Sequence, residues 1–381
     1  MSLDPELREA LARAPDDFRI LLQLCDKAPV EQSPDVLELL STRLATPPAS
    51  DSLRLIELRL YAWSLERFER FRRGLPTLTA TSLKDTEFLF ARDAVLNLAE
   101  AAAAHVARKP KDIGALVMHG EALAALGRLH DAQAQFARLA GVEHVSASGS
   151  VDLDPQFHAG LDSVDPTKDL PISTVNHTGV IGPRAIFVAG DGVYFNQFAP
   201  ALLESLAHED VSIAIHLMDC PADTIDALAP EYYVSSERTG LTGERAREHY
   251  HAVRFVRLLQ FMRQNPRTAV WFIDMDSTFA GPPARLFDLL AGTDLAVHFH
   301  AARLEIRNKI SAHMLGIAPT DAARRFVHRV AAYIHVMYQS RRLSWGTDQV
   351  ALYAVLARFP DAITYAPAGT ETGLIRSMKG G

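Results

Sequence analysis

Residues 269–276 read AVWFIDMD, an apolar run that ends in two aspartates one residue apart. Five consecutive apolar residues predict a buried strand, and Asp274 and Asp276 follow at its carboxyl end. In an open α/β sheet, ligands bind at the carboxyl ends of the strands. Two carboxylates at that edge can hold a hard divalent cation that bridges to phosphate oxygens. The segment therefore predicts a metal and diphosphate site within an α/β domain.

Strands and helices alternate on both sides of this segment, from residue 184 to the end of the sequence. Apolar runs predict further strands at residues 185–189, 211–217, 294–298 and 363–365. Amphipathic runs predict helices at residues 196–207, 243–263, 283–290, 322–339 and 347–358. Such alternation is typical of an α/β fold with helices packed on a sheet. We therefore expect one α/β domain over residues 184–381.

Residues 1–145 have a different pattern, in which Leu, Ala and Arg recur at helical spacing between proline breaks. β-Branched residues are sparse there and no run alternates apolar with polar residues, so we expect helices and no strands. Residues 146–183 begin SASGS and continue with several Asp-Pro and Leu-Pro pairs, which predicts a linker or irregular lead-in. The sequence thus predicts an all-α domain, a linker and an α/β domain.

One helical segment carries small and apolar residues at the spacing of a tetratricopeptide repeat. The residues are Leu116, Gly120, Leu123, Gly127, Ala132, Phe136 and Leu139. The segment resembles that repeat family, but a single unit cannot show a period, so an ordinary helical hairpin explains it equally well. As a helical scaffold, the domain is expected to dock the acceptor of a reaction or a partner protein.

Composition excludes several classes of function. The net charge is −7, with 39 basic and 46 acidic residues, which argues against non-specific binding to nucleic acid. Cys25 and Cys220 are too far apart for a metal motif or a disulfide framework, which fits a reducing cytosol. The N-terminus lacks a signal-peptide pattern and the apolar runs are too short to span a bilayer. We expect a cytoplasmic protein that reaches a membrane, if at all, from its inner surface.

Three further segments, in order along the chain, resemble a known enzyme family. They are residues 186–194 (IFVAGDGVY), 250–255 (YHAVRF) and 345–352 (WGTDQVAL). Together with residues 269–276 they resemble the retaining glycosyltransferases of the glycogenin and lipopolysaccharide-galactosyltransferase type. That family has the Rossmann-like A-type glycosyltransferase fold and an Asp-x-Asp site. The resemblance covers about residues 184–381.

The resemblance implies roles on the nucleotide side of the site. Asp191 and Tyr194 would hold the nucleoside, since a tyrosine ring offers a flat face and a carboxylate accepts hydrogen bonds. Arg254 would reach the diphosphate with its forked donors, although Arg247 and Arg257 lie on neighbouring turns. Taken alone, each segment also has a purely structural explanation, such as a strand-loop-helix crossover or a surface arginine.

It also implies roles on the metal and sugar side. Asp276 would be the main ligand of a Mn²⁺ or Mg²⁺ ion, and Asp274 would help to hold ribose and metal. Asp348 would accept hydrogen bonds from the donor sugar, and Gln349 would lie close to the anomeric carbon. Helix capping by Thr347 or Asp348 is the alternative reading of that segment.

The activity implied is metal-dependent transfer of a sugar from a nucleotide diphosphate sugar, a UDP-sugar, to a saccharide or protein acceptor. Retention of anomeric configuration is implied by the resemblance alone. The family usually ends in His-x-x-Gly-x-x-Lys, whereas residues 373–381 contain no histidine and leave the third metal ligand unassigned. Lys379 would still neutralise diphosphate. The family's Asn-Ser/Ala-Gly turn is also altered, with residues 308–312 in its place.

Two alternatives remain open. Residues 274–278 also match the Asp-x-Asp-x-Thr signature of haloacid-dehalogenase-type phosphatases, in which Asp274 would be the nucleophile and Asp276 the acid. The downstream acidic motif of that class is missing, and two strands and a long helix precede the signature. The other alternative is a non-catalytic helical adaptor fused to a degenerate transferase domain, for which the missing histidine is the best support.

Overall fold

The computed structural model describes residues 4–77, 79–139, 142, 147–168, 170, 174–207, 209–228, 230–301, 303–360, 362–368 and 374–378. The chain divides into two compact units. The helical unit comprises Met1–Asp154 and His300–Lys309. The sheet unit comprises Pro155–Phe299 and Ile310–Gly381. Each unit is described separately below.

The helical unit consists of α-helices joined by short turns. Its helices are α1 (Pro5–Arg13), α2 (Phe18–Lys27), α3 (Ser33–Ala45), α4 (Asp51–Arg72), α5 (Arg92–Arg108), α6 (Ile113–Ala125) and α7 (Leu129–Phe136). Short 3₁₀ turns cover Val30–Gln32, Lys84–Thr86, Ala137–Leu139, Ala147–Ser150 and Ile306–Asn308. A two-residue strand, β1 (Thr79–Ala80), departs from the prediction of no strands before residue 145, because so short a strand leaves no alternating pattern in the sequence.

Buried polar groups fix the ends of these helices. The carboxylate of Glu66 in α4 is fully buried and accepts hydrogen bonds from the backbone N–H groups of Phe90 (2.7 Å) and Ala91 (2.9 Å). Arg70 donates to the same carboxylate at 3.0 Å. The two backbone N–H groups just before α5 therefore find a partner on α4, which ties the start of α5 to that helix.

The hairpin of α6 and α7 matches the segment that resembles a tetratricopeptide unit. Gly127 has φ +76° and makes the turn. A Cβ on Gly120 would lie 2.7 Å from the ring of Phe136, so the two helices approach as closely as a glycine allows. Membership of the repeat family stays a prediction.

The sheet unit carries a mixed sheet with helices around it. Its strands are β2 (Thr174–Thr178), β3 (Arg184–Asp191), β4 (Ser212–Met218), β5 (Tyr233–Glu237), β6 (Ala269–Ile273), β7 (Ser277–Phe279), β8 (Leu295–His300), β9 (Ile310–Ile317), β10 (Tyr365–Pro367) and β11 (Ile375–Ser377). Its helices are α8 (Pro155–Gly160), α9 (Gly192–Leu206), α10 (Ala222–Asp226), α11 (Gly243–Gln264), α12 (Ala284–Asp288), α13 (Asp321–Gln339) and α14 (Thr347–Ala357), with a 3₁₀ turn at Leu161–Ser163.

The strand order in this unit is β8-β9-β6-β3-β4-β5-β2, and β10 pairs with β8. The central strands β6, β3, β4 and β5 are parallel to one another, whereas β9 pairs antiparallel with β6 and β2 pairs antiparallel with β5. Strands β7 and β11 form a separate antiparallel pair. Parallel central strands place the carboxyl ends of β3, β4 and β6 at one edge, as the α/β prediction requires. The α/β class expected from the sequence is confirmed.

The predicted strands and helices after residue 184 are all present, with ends that differ by a few residues. The sequence did not predict β5, β7, β9, β11 or α10. Strand β9 reads ISAHMLGI, and its Ser, His and Gly residues interrupt the apolar run. Gly316 is required there because a Cβ would lie 2.7 Å from the fully buried ring of Trp271 on β6. The expected linker at residues 146–183 contains α8 and β2 as well as irregular chain.

Among the described helices, none combines the length and the apolar character needed to cross a lipid bilayer.

Candidate functional site

A cavity of about 1000 Å³ lies at the carboxyl ends of the central strands. Its lining includes Asp191 and Tyr194 after β3, Asp274 and Asp276 after β6, and Trp345 before α14. The same face of α11 adds four more polar side chains: Arg247, Tyr250, His251 and Arg254. Side chains from distant parts of the sequence thus meet where the sheet topology predicts a ligand site.

The guanidinium of Arg254 lies beneath this cavity and connects two carboxylates. Its Nη2 donates to Oδ2 of Asp348 at 2.6 Å, and its Nη1 donates to Oδ1 of Asp274. It also lies over the ring of Phe272, 5.0 Å from the centroid. Burial alone would lower the pKa of Arg254, but the charges of Asp274 and Asp348 outweigh burial and raise it. Arg254 is therefore a permanent cation that joins β6 to α14.

Asp348 is fully buried and has a second partner. Its Oδ1 lies 3.0 Å from Nε2 of His251. Burial alone would raise the pKa of Asp348, but its electrostatic contacts and hydrogen bonds with His251 and Arg254 hold it well below its usual range. Asp348 is thus an ionised group that holds Arg254 and His251 in place from below the cavity wall.

The start of α14 differs from a simple capped helix. The N-cap position is Gly346, with φ +88°, and no side chain caps the helix there. The hydroxyl of Thr347 accepts from the backbone N–H of Ser344 at 2.9 Å. Gln349 donates its backbone N–H to Asp348 at 2.8 Å, and its side chain is half-buried. The carboxylate of Asp348 is therefore occupied by Arg254 and His251 and not by a standard cap.

The turn after β3 brings Asp191 and Tyr194 against the Asp-x-Asp segment. Oδ1 of Asp191 accepts from the backbone N–H of Tyr194 at 2.9 Å and caps α9. Burial raises the pKa of the Tyr194 phenol, and its hydrogen bond to the carboxylate of Asp276 raises it further. A Cβ on Gly190 would lie 3.2 Å from the Met275 side chain, so the glycine permits this close approach.

His313 is a neighbour of the two aspartates that the sequence did not single out. Its backbone oxygen accepts from the N–H of Asp274 at 2.8 Å. Burial lowers the pKa of His313 even though the charges of Asp274 and Asp276 oppose that shift. The antiparallel register of β9 on β6 would have placed His313 there, but β9 was not predicted.

A second addition to the predicted site is the pair of Asp219 and Tyr250. Asp219 follows β4 with φ +49°, a left-handed conformation that aspartate tolerates better than most residues. It accepts from the hydroxyl of Tyr250 at 2.7 Å and from the backbone N–H of Thr239 at 2.8 Å. These bonds hold Tyr250 in the cavity wall.

Three of the arginines of α11, the ones named as candidates from the sequence, have different surroundings. Arg247 is exposed and lines the cavity. Arg257 is buried and pairs with Glu237, away from the cavity lining. Arg254 is buried but touches both aspartates described above. Lys379, which was also expected to face diphosphate, lies outside the described residues.

The two carboxylates after β6 suit a divalent cation only in part. Within the part of the chain that the structure describes, no three His, Cys, Asp or Glu side chains form a group that could hold a metal ion. A Mg²⁺ ion in a nucleotide site often takes one or two protein carboxylates and completes its shell with phosphate oxygens and water. Asp274 and Asp276 fit that more modest requirement, although Oδ1 of Asp274 already accepts from Arg254.

No family model matches this chain. A search of curated proteins also finds no match. Solved structures that are similar over part of the chain include the glycosyltransferase GlyE of Streptococcus pneumoniae TIGR4, at 18% identity and a TM-score of 0.33. That match covers 50% of this chain and 46% of the GlyE chain, so this chain spans less than half of GlyE.

Two similar structures are of the galactosyltransferase LgtC. One is in complex with donor and acceptor sugar analogues, at 12% identity and a TM-score of 0.36. The other is an active-site mutant, at 11% identity and a TM-score of 0.35. Both matches cover 49% of this chain and 73% of the LgtC chain.

Proposed function

We propose that this protein is a metal-dependent glycosyltransferase that moves a sugar from a UDP-sugar to a saccharide or protein acceptor. The observation that carries the proposal is the cavity at the carboxyl ends of β3 and β6. There Asp274 and Asp276 stand beside a tyrosine, a buried arginine and an exposed arginine. This combination provides ligands for a cation, a flat ring for a base and positive charge for a diphosphate.

On the nucleotide side, the ring of Tyr194 would pack against uracil, and the second carboxylate oxygen of Asp191 would accept a hydrogen bond from the nucleoside. Oδ1 of Asp191 already caps α9, which fixes the orientation of the carboxylate. The hydrogen bond of Tyr194 to Asp276 couples the base-binding ring to the metal-binding carboxylate. The turn after β3 would thereby position base and cation together.

On the diphosphate side, the exposed Arg247 is the better candidate for direct contact. Arg254 is buried and already paired with Asp274 and Asp348, so it would orient the carboxylates and add positive potential from below. The predicted contribution of Lys379 is kept as part of the proposal. A bound Mn²⁺ or Mg²⁺, held by Asp276 with Asp274, would neutralise the charge that builds up on the leaving diphosphate.

On the sugar side, we propose that Asp348 acts as a positioning residue. Because both of its oxygens are occupied, its hydrogen bonds serve Arg254 and His251. Gln349, on the first turn of α14, would contact the donor sugar near its anomeric carbon. Retention of anomeric configuration belongs to this proposal through the family resemblance alone.

For the helical unit we propose a docking role for the acceptor or a partner protein. Its exposed apolar side chains, such as Phe71 and Leu89, are 43% and 45% accessible. Phe71→Asp and Leu89→Asp would then raise the KM for the acceptor without changing UDP affinity. An unchanged KM in both variants would contradict the docking role.

The main test is calorimetry with UDP, with and without Mn²⁺, followed by a screen of nucleotide sugars for metal-dependent hydrolysis. We expect UDP to bind in the presence of Mn²⁺ and Asp276→Asn to abolish that dependence. Asp321→Asn, which changes a fully exposed aspartate on α13, is the matched control. An absence of metal-dependent UDP binding in the wild-type protein would overturn the proposal and favour the non-catalytic adaptor. Release of phosphate from simple phosphomonoesters, lost in Asp274→Asn, would favour the phosphatase instead.

A further inference from the structure

Trp345 is the exposed aromatic side chain of the cavity. It is 57% accessible and lies in the cavity lining, whereas Trp271 of the same unit is fully buried. An indole left in water forgoes on the order of 2 kcal/mol of hydrophobic stabilisation. Exposed apolar surface inside a concave site is a common sign of a ligand that covers it.

The indole is held in a defined orientation. Its ring stacks on the imidazole of His251 with a centroid separation of 4.2 Å and an interplanar angle of 16°. His251 is in turn held by the buried carboxylate of Asp348 at 3.0 Å. Gly346, with φ +88°, follows Trp345 directly and sets the chain direction into α14. One face of the indole is therefore supported, and a ligand can cover the other with little loss of side-chain entropy.

The surroundings match a sugar ring. A pyranose has a flat face of C–H groups for the indole and a rim of hydroxyl groups for polar partners. The cavity lining offers such a partner in the hydroxyl of Tyr250, which donates to Asp219 and can still accept a hydrogen bond. In the proposed function the nucleobase packs against Tyr194, on the first turn of α9, whereas Trp345 precedes α14. Trp345 is thus available for a second ring-shaped ligand.

We propose that Trp345 is the platform on which the acceptor binds, and that the acceptor presents a pyranose ring, so that it is a saccharide. The inference rests on the proposed glycosyl transfer and narrows its acceptor class. The competing explanation is that Trp345 has a structural role and only shields His251 and Asp348 from water. That role predicts equal effects of substitution on donor and acceptor binding.

Calorimetric titrations of lactose, maltose and cellobiose against the full chain, with UDP and Mn²⁺ present, test the proposal. We expect at least one disaccharide to bind and Trp345→Ala to weaken it roughly tenfold, the usual scale of an aromatic stacking contact. Trp345→Phe should lose less disaccharide affinity than Trp345→Ala, because phenylalanine keeps an aromatic ring. Val180→Ala, which alters a 93% accessible apolar residue away from the cavity lining, should bind as the wild type does.

UDP affinity, measured on the same samples, separates the possible failures. UDP binding without any disaccharide binding up to the solubility limit would overturn the saccharide platform and leave the proposed function standing. Equal losses of UDP and disaccharide affinity in Trp345→Ala would also overturn it, in favour of the shielding role. If neither UDP nor a disaccharide binds the wild-type protein, both proposals are wrong.

Discussion

The carboxylate of Asp348 accepts a 2.6 Å hydrogen bond from the guanidinium of Arg254, 94 residues earlier in the chain. The contact joins the helix that precedes the Asp-x-Asp strand to the helix that carries the late Asp-Gln pair. Both groups are buried, so each depends on the other for compensation of its charge. The candidate site is therefore built on a buried ionic core, and its exposed residues are positioned by that core.

Removing either partner of the Arg254–Asp348 pair should destabilise the folded protein. We expect Arg254→Met or Asp348→Asn to lower the free energy of unfolding by roughly 3–5 kcal/mol, because either leaves a buried charge uncompensated. The double variant should lose less unfolding free energy than the two single variants together. Urea denaturation should give a coupling free energy of about 2 kcal/mol between the two positions. The exposed pair Arg128 and Asp131 is the control, for which a coupling below about 1 kcal/mol is expected. Additive losses at the buried pair would contradict the ionic core.

The same pair predicts that the folded protein loses stability at low pH. The folded-state pKa of Asp348 is held far below its unfolded value of about 4. A carboxylate of this kind contributes its full stability above about pH 4 and loses it progressively as pH falls towards the folded pKa. Thermal unfolding between pH 7 and pH 2 should therefore show a loss below about pH 4 that is smaller in Asp348→Asn. A parallel acid loss in that variant and the wild type would show that Asp348 is not responsible.

Tyr194 gives a test of how the metal-binding carboxylate is oriented. Tyr194→Phe keeps the ring but removes the hydroxyl that bonds to Asp276. Loss of such an orienting partner commonly weakens metal binding tenfold or more, so we expect roughly a tenfold weaker apparent Mn²⁺ affinity in the presence of UDP. Tyr232→Phe, at a half-buried tyrosine elsewhere in the same unit, should leave it unchanged. An unchanged Mn²⁺ titration in Tyr194→Phe would separate the tyrosine from the metal site.

Two glycines mark where the fold has no room for a side chain. Gly120→Ala and Gly316→Ala each place a Cβ 2.7 Å from an aromatic ring, of Phe136 and Trp271 respectively. Overpacking of this kind costs typically 1–3 kcal/mol, measured by chemical denaturation. Gly160→Ala, where nothing lies within 4 Å, is the matched control and should be near neutral. Neutral outcomes at all three positions would mean that the backbones do not approach as described.

The sequence predicted the elements whose residues form uninterrupted patterns. The run before Asp274 and the long amphipathic pattern of α11 were sufficient to define a strand, a helix and the edge of the sheet. Strand β9 was missed because Ser311, His313 and Gly316 break its apolar run. The position of His313 beside Asp274 depends on the pairing of two strands separated by many residues. Local periodicity carries no information about such pairing.

The roles assigned to the site residues stay predictions. The expectation that Arg254 faces diphosphate came from the motif alone, which does not reveal burial. Its two carboxylate partners show that it is an internal cation. The packing of α11 decides which of its arginines is exposed to solvent. Because neighbours cover both sides of this helix, its sequence lacks a clear polar face that would identify the exposed arginine.

Arg247 provides the final prediction, because it is the exposed arginine of α11 that lines the cavity. If it contacts the diphosphate, Arg247→Ala should weaken UDP binding roughly tenfold, the scale of one hydrogen bond to a charged group. Its unfolding free energy should change by less than about 0.5 kcal/mol, as at other surface positions. Arg245→Ala, two residues earlier, exposed and outside the cavity lining, is the matched control. Arg257→Ala should show the converse, a loss of stability from uncovering buried Glu237. Equal UDP affinity in Arg247→Ala and Arg245→Ala would instead assign the diphosphate contact to a different cation.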